Sequence, residues 1–116
     1  LASNPDLVCP VPFGYVPDCG SICQMITNAT GQVPHYIGKP STDMVDIALR
    51  ENPFSKEETV IVGDRFCTDI ACGNASGVET VLVLTGEAKK TDTMIYTYSP
   101  TYIFDSIKEV KKAWKN

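Results

Sequence analysis

The 116 residues include one histidine, one tryptophan, no Cys-x-x-Cys pair and no internal repeat. A zinc site has few ligands to draw on. No apolar run approaches the roughly 20 residues that a bilayer requires, so no membrane association is expected, and no leader pattern opens the chain. Basic charge is scarce. Ten lysines and arginines against fourteen acids give a net charge of −4, which leaves no basic face for a nucleic acid. The five cysteines, an odd number at irregular spacing, read as reduced thiols of a cytoplasmic protein rather than as disulfides. Leu1 stands where a methionine would begin a complete chain, consistent with a piece of something longer.

Hydrophobic residues make up 43% of the sequence, enough for one domain with a modest core. Residues 1–18 read as loop: Pro5, Pro10, Pro12 and Pro17 interrupt any ladder, Asn4-Pro5-Asp6 suits a turn, and only Leu7 and Val8 look buried. A helix is expected from about Gly20 to Thr30, with Ile22, Met25, Ile26 and Ala29 on one face and Gly31 as its left-handed stop. Pro34–Ile37 reads as a short strand. Ser41 or Thr42 then caps a helix from Asp43 to about Asn52, with Met44, Ile47 and Ala48 as its apolar stripe. Ser55-Lys-Glu-Glu58 matches a capping box for a single turn.

Further on, Val78–Thr85 is a continuous apolar strand suited to burial on both faces, and Gly86–Ser99 is polar and unassigned. Tyr102–Phe104 suits an edge strand. Ser106-Ile-Lys-Glu109 is a capping box opening a last helix with Ile107, Val110 and Trp114 inward. Lys108, Lys111, Lys112 and Lys115 fall in that helix, where they complement its C-terminal dipole. Alternating strands and helices predict an α/β fold, a parallel Rossmann-like sheet with helices on both sides.

The chain is organised around Thr59-Val-Ile-Val-Gly-Asp-Arg-Phe-Cys-Thr-Asp-Ile-Ala-Cys-Gly73. An apolar strand ends at Gly63, and Asp64 follows in the crevice beyond a strand's carboxyl end, where open α/β sheets place their chemistry. Thr68 suits an N-cap, with Asp69 in the first turn of the next helix. Two carboxylates five residues apart can hold a hard cation such as Mg2+. Equally, Asp64 could merely end a strand and Asp69 decorate a helix start. Lys39 follows the preceding predicted strand, so a parallel sheet brings it to the same rim as Asp64. A lysine beside carboxylates suits phosphoryl transfer, although Lys39 could also be a solvated turn residue.

Gly38-Lys-Pro-Ser41, Val60-Ile-Val-Gly-Asp-Arg-Phe-Cys-Thr-Asp-Ile70 and Gly77-Val-Glu-Thr-Val-Leu-Val-Leu-Thr-Gly86, in this order, resemble the C-terminal half of haloacid dehalogenase (HAD) superfamily phosphatases. The nearest subclass is the NagD-like and p-nitrophenyl phosphatase-like one, with its large α/β cap. Ala2-Ser-Asn-Pro-Asp6 and Pro17-Asp-Cys-Gly-Ser21 resemble the point where that cap hands back to the core. The resemblance implies an incomplete HAD core: residues 1–18 as the end of the cap and its linker, and residues 19–116 as the C-terminal part of the core.

It also implies a catalytic role for Lys39 at the nucleophile and phosphoryl group. Asp64 becomes a Mg2+ ligand, and Asp69 a second acid that binds or orients the metal and its waters. Asn4 and Cys9 become candidates for substrate contact, Cys9 being more readily plain loop packing. His35 reads as structural.

The sequence departs from the family in having no Asp-x-Asp, the motif that supplies nucleophile and general acid/base. Two functions remain open. One is part of a Mg2+-dependent phosphatase acting on a small phosphorylated metabolite through an aspartyl-phosphate. The other is a non-catalytic α/β binding or assembly module. In either, the open sheet edge invites pairing with a missing N-terminal half or a second chain.

Overall fold

Residues 1–18 are not the loop their prolines suggest. In the computed structural model, which describes residues 1–114, β1 (Val8–Val11) and β2 (Gly14–Pro17) pair antiparallel, with Val8 opposite Pro17 and Val11 opposite Gly14. A two-stranded ribbon has only edges, so proline's missing N–H need not interrupt a ladder. Gly14 takes φ 133°, a conformation that side chains rarely permit. The hairpin stands clear of the core, and Leu7 and Val8 are 54% and 51% exposed rather than buried.

Helix α1 (Cys19–Thr30) starts and stops as the sequence indicates. Asp18 accepts from Cys19 N at 2.7 Å, and Gly31, at φ 72°, closes the last turn on Thr27 O. Its apolar residues Ile22, Met25 and Ile26 face solvent among the described residues. Pro34–Ile37 forms no sheet strand. Tyr36 makes one parallel bridge to Ala2, with Ala2 N donating to His35 O at 2.9 Å and Ile37 N to Ala2 O at 3.0 Å.

Helix α2 (Asp43–Glu51) buries a different stripe from the one expected. Val45 and Leu49 pack with Cys72, Val78 and Ile61, while Met44, Ile47 and Ala48 are exposed. Both sets are helical i, i+3/i+4 groupings, and docking on Cys72 and Val78 selects the one containing Val45. The Ser55 turn carries its predicted box, with Glu58 accepting from Ser55 N at 3.0 Å.

The central sheet is parallel, in the order β3 (Val60–Gly63), β4 (Glu79–Val83), β5 (Tyr102–Phe104). β4 lies in the middle, which is why its apolar run is continuous: Val81 and Leu82, on opposite faces, are both fully buried. On the Leu82 face pack Phe66, Ile70 and Ala88, joined by residues of α4 (Met94–Tyr98), a short helix in the stretch that the sequence leaves unassigned. Between β3 and β4 lie the turn Phe66–Ile70 and α3 (Ala71–Ser76), which ends at Gly77 in the left-handed conformation.

On the other face Val81 and Val83 meet Val110 of α5 (Ile107–Ala113). Only Val110 of the predicted inward trio is buried; Ile107 and Trp114 are exposed, because three strands are too narrow to cover more of the helix. Ser106 makes no side-chain cap bond. Lys108, Lys111 and Lys112 lie on α5, and Lys115, grouped with them in the sequence, lies outside the described residues. β3 keeps one edge unpaired among the described residues, and Val62 on it is 39% exposed.

Candidate functional site

Four segments converge beyond the carboxyl end of β3 on a cleft of about 480 Å³. Ser3, Asn4 and Asp6 come from the N-terminal segment, and Gly38 and Lys39 from the loop before α2. Asp64 and Arg65 follow β3, and Thr68 and Asp69 belong to the turn before α3. Lys39 thus pairs with Asp69 and shares a cleft with Asp64, but it comes from a loop braced on Ser3 rather than from a strand of the sheet: a Cβ on Gly38 would collide with Ser3 O.

Thr68 is not an N-cap. Asp69 N and Ile70 N both donate to Arg65 O, at 3.1 and 3.2 Å, so the chain makes a wide turn with an i to i+5 bond before it settles into α3. Such turns occur often at functional sites because the extra residue re-aims neighbouring side chains. Here the turn points Asp69 back at β3, where its Oδ2 accepts from Arg65 N at 3.1 Å and its Oδ1 from Lys39 Nζ. Asp69 is only 4% exposed, and a carboxylate so buried is tolerable because both oxygens are paired. Glycine makes the room: a Cβ on Gly63 would strike the Asp69 side chain. The Thr68 hydroxyl, in the same cleft wall, is buried with no hydrogen-bond partner among the described residues.

Asp64 is half-buried and differently held. Its Oδ2 accepts from Glu87 N at 2.9 Å, and its carbonyl accepts from Ala88 N at 3.0 Å. A Cβ on Gly86 would occupy the position of Oδ2, so this approach also requires glycine. Arg65 spans the cleft mouth between Glu87 and, at 3.8 Å, Asp6. The bond to Glu87 keeps its guanidinium even more firmly protonated than usual.

As a metal site the arrangement is partial. The donors are hard oxygens, which suit Mg2+, and Oδ1 of Asp64 takes no hydrogen bond from a described residue. Asp69, with both oxygens engaged, is placed to orient rather than to coordinate alone. Among the described residues no group of three or more His, Cys, Asp or Glu side chains gathers around one point. The residues fit as one side of a Mg2+ site.

Asn4 lies in the cleft, its Oδ1 accepting from Asp6 N at 3.0 Å. Cys9 does not join it: it is exposed on β1 and its thiol is directed to Pro10 O. His35 stands outside, with Nε2 2.8 Å from Asp43 Oδ2. Hydrogen bonding from Ser41, then from His35, holds the Asp43 carboxyl below the usual carboxylate range. Sequence reasoning missed Arg65, Thr68, Gly63, Gly86 and Glu87. The available signal was a glycine directly after each of two apolar strands, which marks a close backbone approach.

A family profile described as HAD-hydrolase-like matches residues 36–110. The chain belongs to the HAD-hydrolase-like family. It is 39% identical to the dihydroxyacetone phosphatase of Corynebacterium glutamicum over 114 residues, 98% of this chain and 42% of that protein. It is also 39% identical to the ribonucleotide monophosphatase NagD of Escherichia coli over 110 residues, 95% of this chain and 43% of that one. Among solved structures, the p-nitrophenyl phosphatase from Archaeoglobus fulgidus superposes with a TM-score of 0.82 at 36% identity, covering 95% of this chain and 44% of that one. The chain therefore spans about two-fifths of the length of these relatives. Among the described residues no helix is long and apolar enough to cross a membrane.

Proposed function

We propose that this chain supplies one side of the active site of a Mg2+-dependent phosphatase that hydrolyses small phosphomonoesters. The observation that carries the reading is the convergence of Lys39, Asp64 and Asp69 from three segments on one cleft. Lys39, oriented by Asp69, lies where its ammonium can neutralise phosphoryl oxygens, and a fixed charge of this kind acts most strongly as charge builds in the transition state. Asp64 is the metal ligand of this chain, and Asn4 reaches the cleft from the substrate side. Bound Mg2+ would add positive charge against the phosphoryl oxygens.

The nucleophile is the part this chain lacks. With no Asp-x-Asp in the sequence, we assign the attacking carboxylate to a segment outside these 116 residues. Attack at phosphorus would give an aspartyl-phosphate and release the alcohol, and water would then release phosphate. The unpaired edge of β3 and the exposed apolar residues Ile22, Met25, Ile26, Met44 and Ile47 support docking of that segment here. Residues 1–18 then serve as the end of the cap and its linker. We place the protein in the cytoplasm because its five cysteines are odd in number and irregularly spaced, which suits reduced thiols.

The open edge also favours the second reading, a non-catalytic assembly module. The two are separated by the gene upstream of Leu1 and by activity. An in-frame Asp-x-Asp after an apolar run, with Mg2+-dependent p-nitrophenyl phosphate hydrolysis by the joined polypeptide, is the expected result. The 116 residues alone should give none. Full activity of the joined polypeptide carrying Asp64→Ala or Lys39→Ala would overturn the assignment.

A further inference from the structure

Two thiols outside the cleft lie one helical turn apart on α1. Cys19 and Cys23 have their sulfurs 3.9 Å apart, and both are partly accessible. Cys19 is the first helical residue after the Asp18 cap. Hydrogen bonds from the Asn4 backbone, then from the Ser3 side chain and backbone, lower its pKa to about 7. Cys23 is shifted the other way, chiefly by burial and then by its neighbour Cys19. Tyr36 is the other titratable side chain that bears on Cys23. A thiolate-forming cysteine beside a second, protonated one is the arrangement of an attacking thiol and its resolving partner.

The same turn supports the wall of the cleft. Gly20 N donates to Asp6 O at 2.8 Å, Asp18 N to Leu7 O at 3.1 Å, and Ser21 Oγ to Leu7 O at 2.6 Å. A Cβ on Gly20 would collide with the carbonyls of Pro5 and Asp6, so helix and segment are in close contact. Ser3, Asn4 and Asp6, in that segment, line the cleft.

We propose that Cys19 and Cys23 form a peroxide-sensitive dithiol that closes to an intrahelical disulfide and so displaces the Ser3–Asp6 wall of the cleft. The Cys19 thiolate attacks one oxygen of hydrogen peroxide and breaks the O–O bond; with one proton taken up, water leaves and a sulfenic acid remains. Cys23 sulfur then attacks Cys19 sulfur, the S–O bond breaks, and the hydroxide departs as water with the Cys23 proton. Two thiols lose two electrons and two protons, and one peroxide becomes two waters. In a regular helix, Cβ atoms four residues apart lie about 5–6 Å from each other. A relaxed disulfide spans about 3.5–4.5 Å, so bond formation requires the first turn of α1 to open. That movement is what reaches Asp6. The sulfur chemistry does not depend on the phosphatase reading, and either can fail alone.

The test uses the 116-residue chain with stoichiometric hydrogen peroxide, followed by thiol blocking and fragment mass spectrometry. The expected product loses the mass of two hydrogens between Cys19 and Cys23, regains it with dithiothreitol, and is absent in Cys19→Ser and in Cys23→Ser. Cys9→Ser should leave it intact. At pH 7 iodoacetamide should label Cys19 about fivefold faster in the folded chain than in urea, the larger thiolate fraction being partly offset by weaker nucleophilicity. Amide resonances of Asn4, Asp6 and Gly20 should shift on oxidation while those of β4 stay. Products confined to Cys9 or Cys67, an intermolecular disulfide, or unchanged Asn4 and Asp6 resonances after Cys19–Cys23 closure would overturn the proposal.

Discussion

Lys39 and Asp69, thirty residues apart, share an ion pair in which the carboxylate is buried and the ammonium is half exposed. The asymmetry separates their roles. Asp69 is fixed by backbone and packing, and Lys39 is the member free to face a ligand.

Replacing Lys39 with methionine leaves Asp69 one donor short. An undersupplied buried acceptor costs about 1–3 kcal/mol, and the exposed lysine, partly replaceable by water, places this case near the low end. Thermal unfolding should fall by about 4–8 °C. The double variant Lys39→Met/Asp69→Asn should recover part of the loss, as coupled residues do. Strict additivity of the two single variants would show that the pair contributes nothing.

Gly63→Ala and Gly86→Ala should each disturb the site from behind. A Cβ at Gly63 strikes Asp69, and one at Gly86 strikes Asp64. Overpacking of this kind costs about 1–3 kcal/mol. In Gly86→Ala the Glu87 amide should also lose its bond to Asp64, visible as an upfield shift of that resonance. An unchanged Glu87 amide would mean that Asp64 does not lie against Gly86.

Thr68→Val should be neutral or stabilising by up to about 1 kcal/mol, because it removes a buried hydroxyl that has no partner while keeping the side-chain shape. Chemical denaturation measures it. A loss above about 1 kcal/mol would indicate that the hydroxyl is hydrogen-bonded after all.

Asp43 gives stability a pH dependence in the acid range. Its folded pKa is depressed, so between the folded and unfolded values the unfolded state binds more protons and stability rises with pH. The contribution is complete above the ordinary carboxylate value of about 4 and is lost as pH falls through the lower folded value. Melting curves of the protein and of Asp43→Asn should separate above about pH 4 and converge below it. A constant difference across that range would remove Asp43 as the cause.

Local signals were legible where local physics decides the outcome. Gly31 and Gly77 end helices because only a residue without a Cβ enters the left-handed region cheaply, and neither depends on what packs nearby. The buried strand through Val81 and Leu82 was readable because a central parallel strand is apolar on both faces. Asp64 was readable from its place after an apolar strand. Face selection was not. Met44 and Val45 are adjacent and both apolar, and only the position of Cys72 and Val78 determines which one is buried. Trp114 is exposed because the sheet is narrow, a property of strand number and not of the helix.

The sequence by itself located α1, α2, β3 and β4 and placed Lys39, Asp64 and Asp69 at one rim of a parallel sheet. Tertiary structure alone decided how Asp69 is used. Its aim follows from the extra residue in the turn after Arg65 and the space left by Gly63, but its partner Lys39 arrives from a loop thirty residues away. Hydrogen bonds and excluded volume between distant segments have no periodicity along the chain, so residue spacing carries no trace of them.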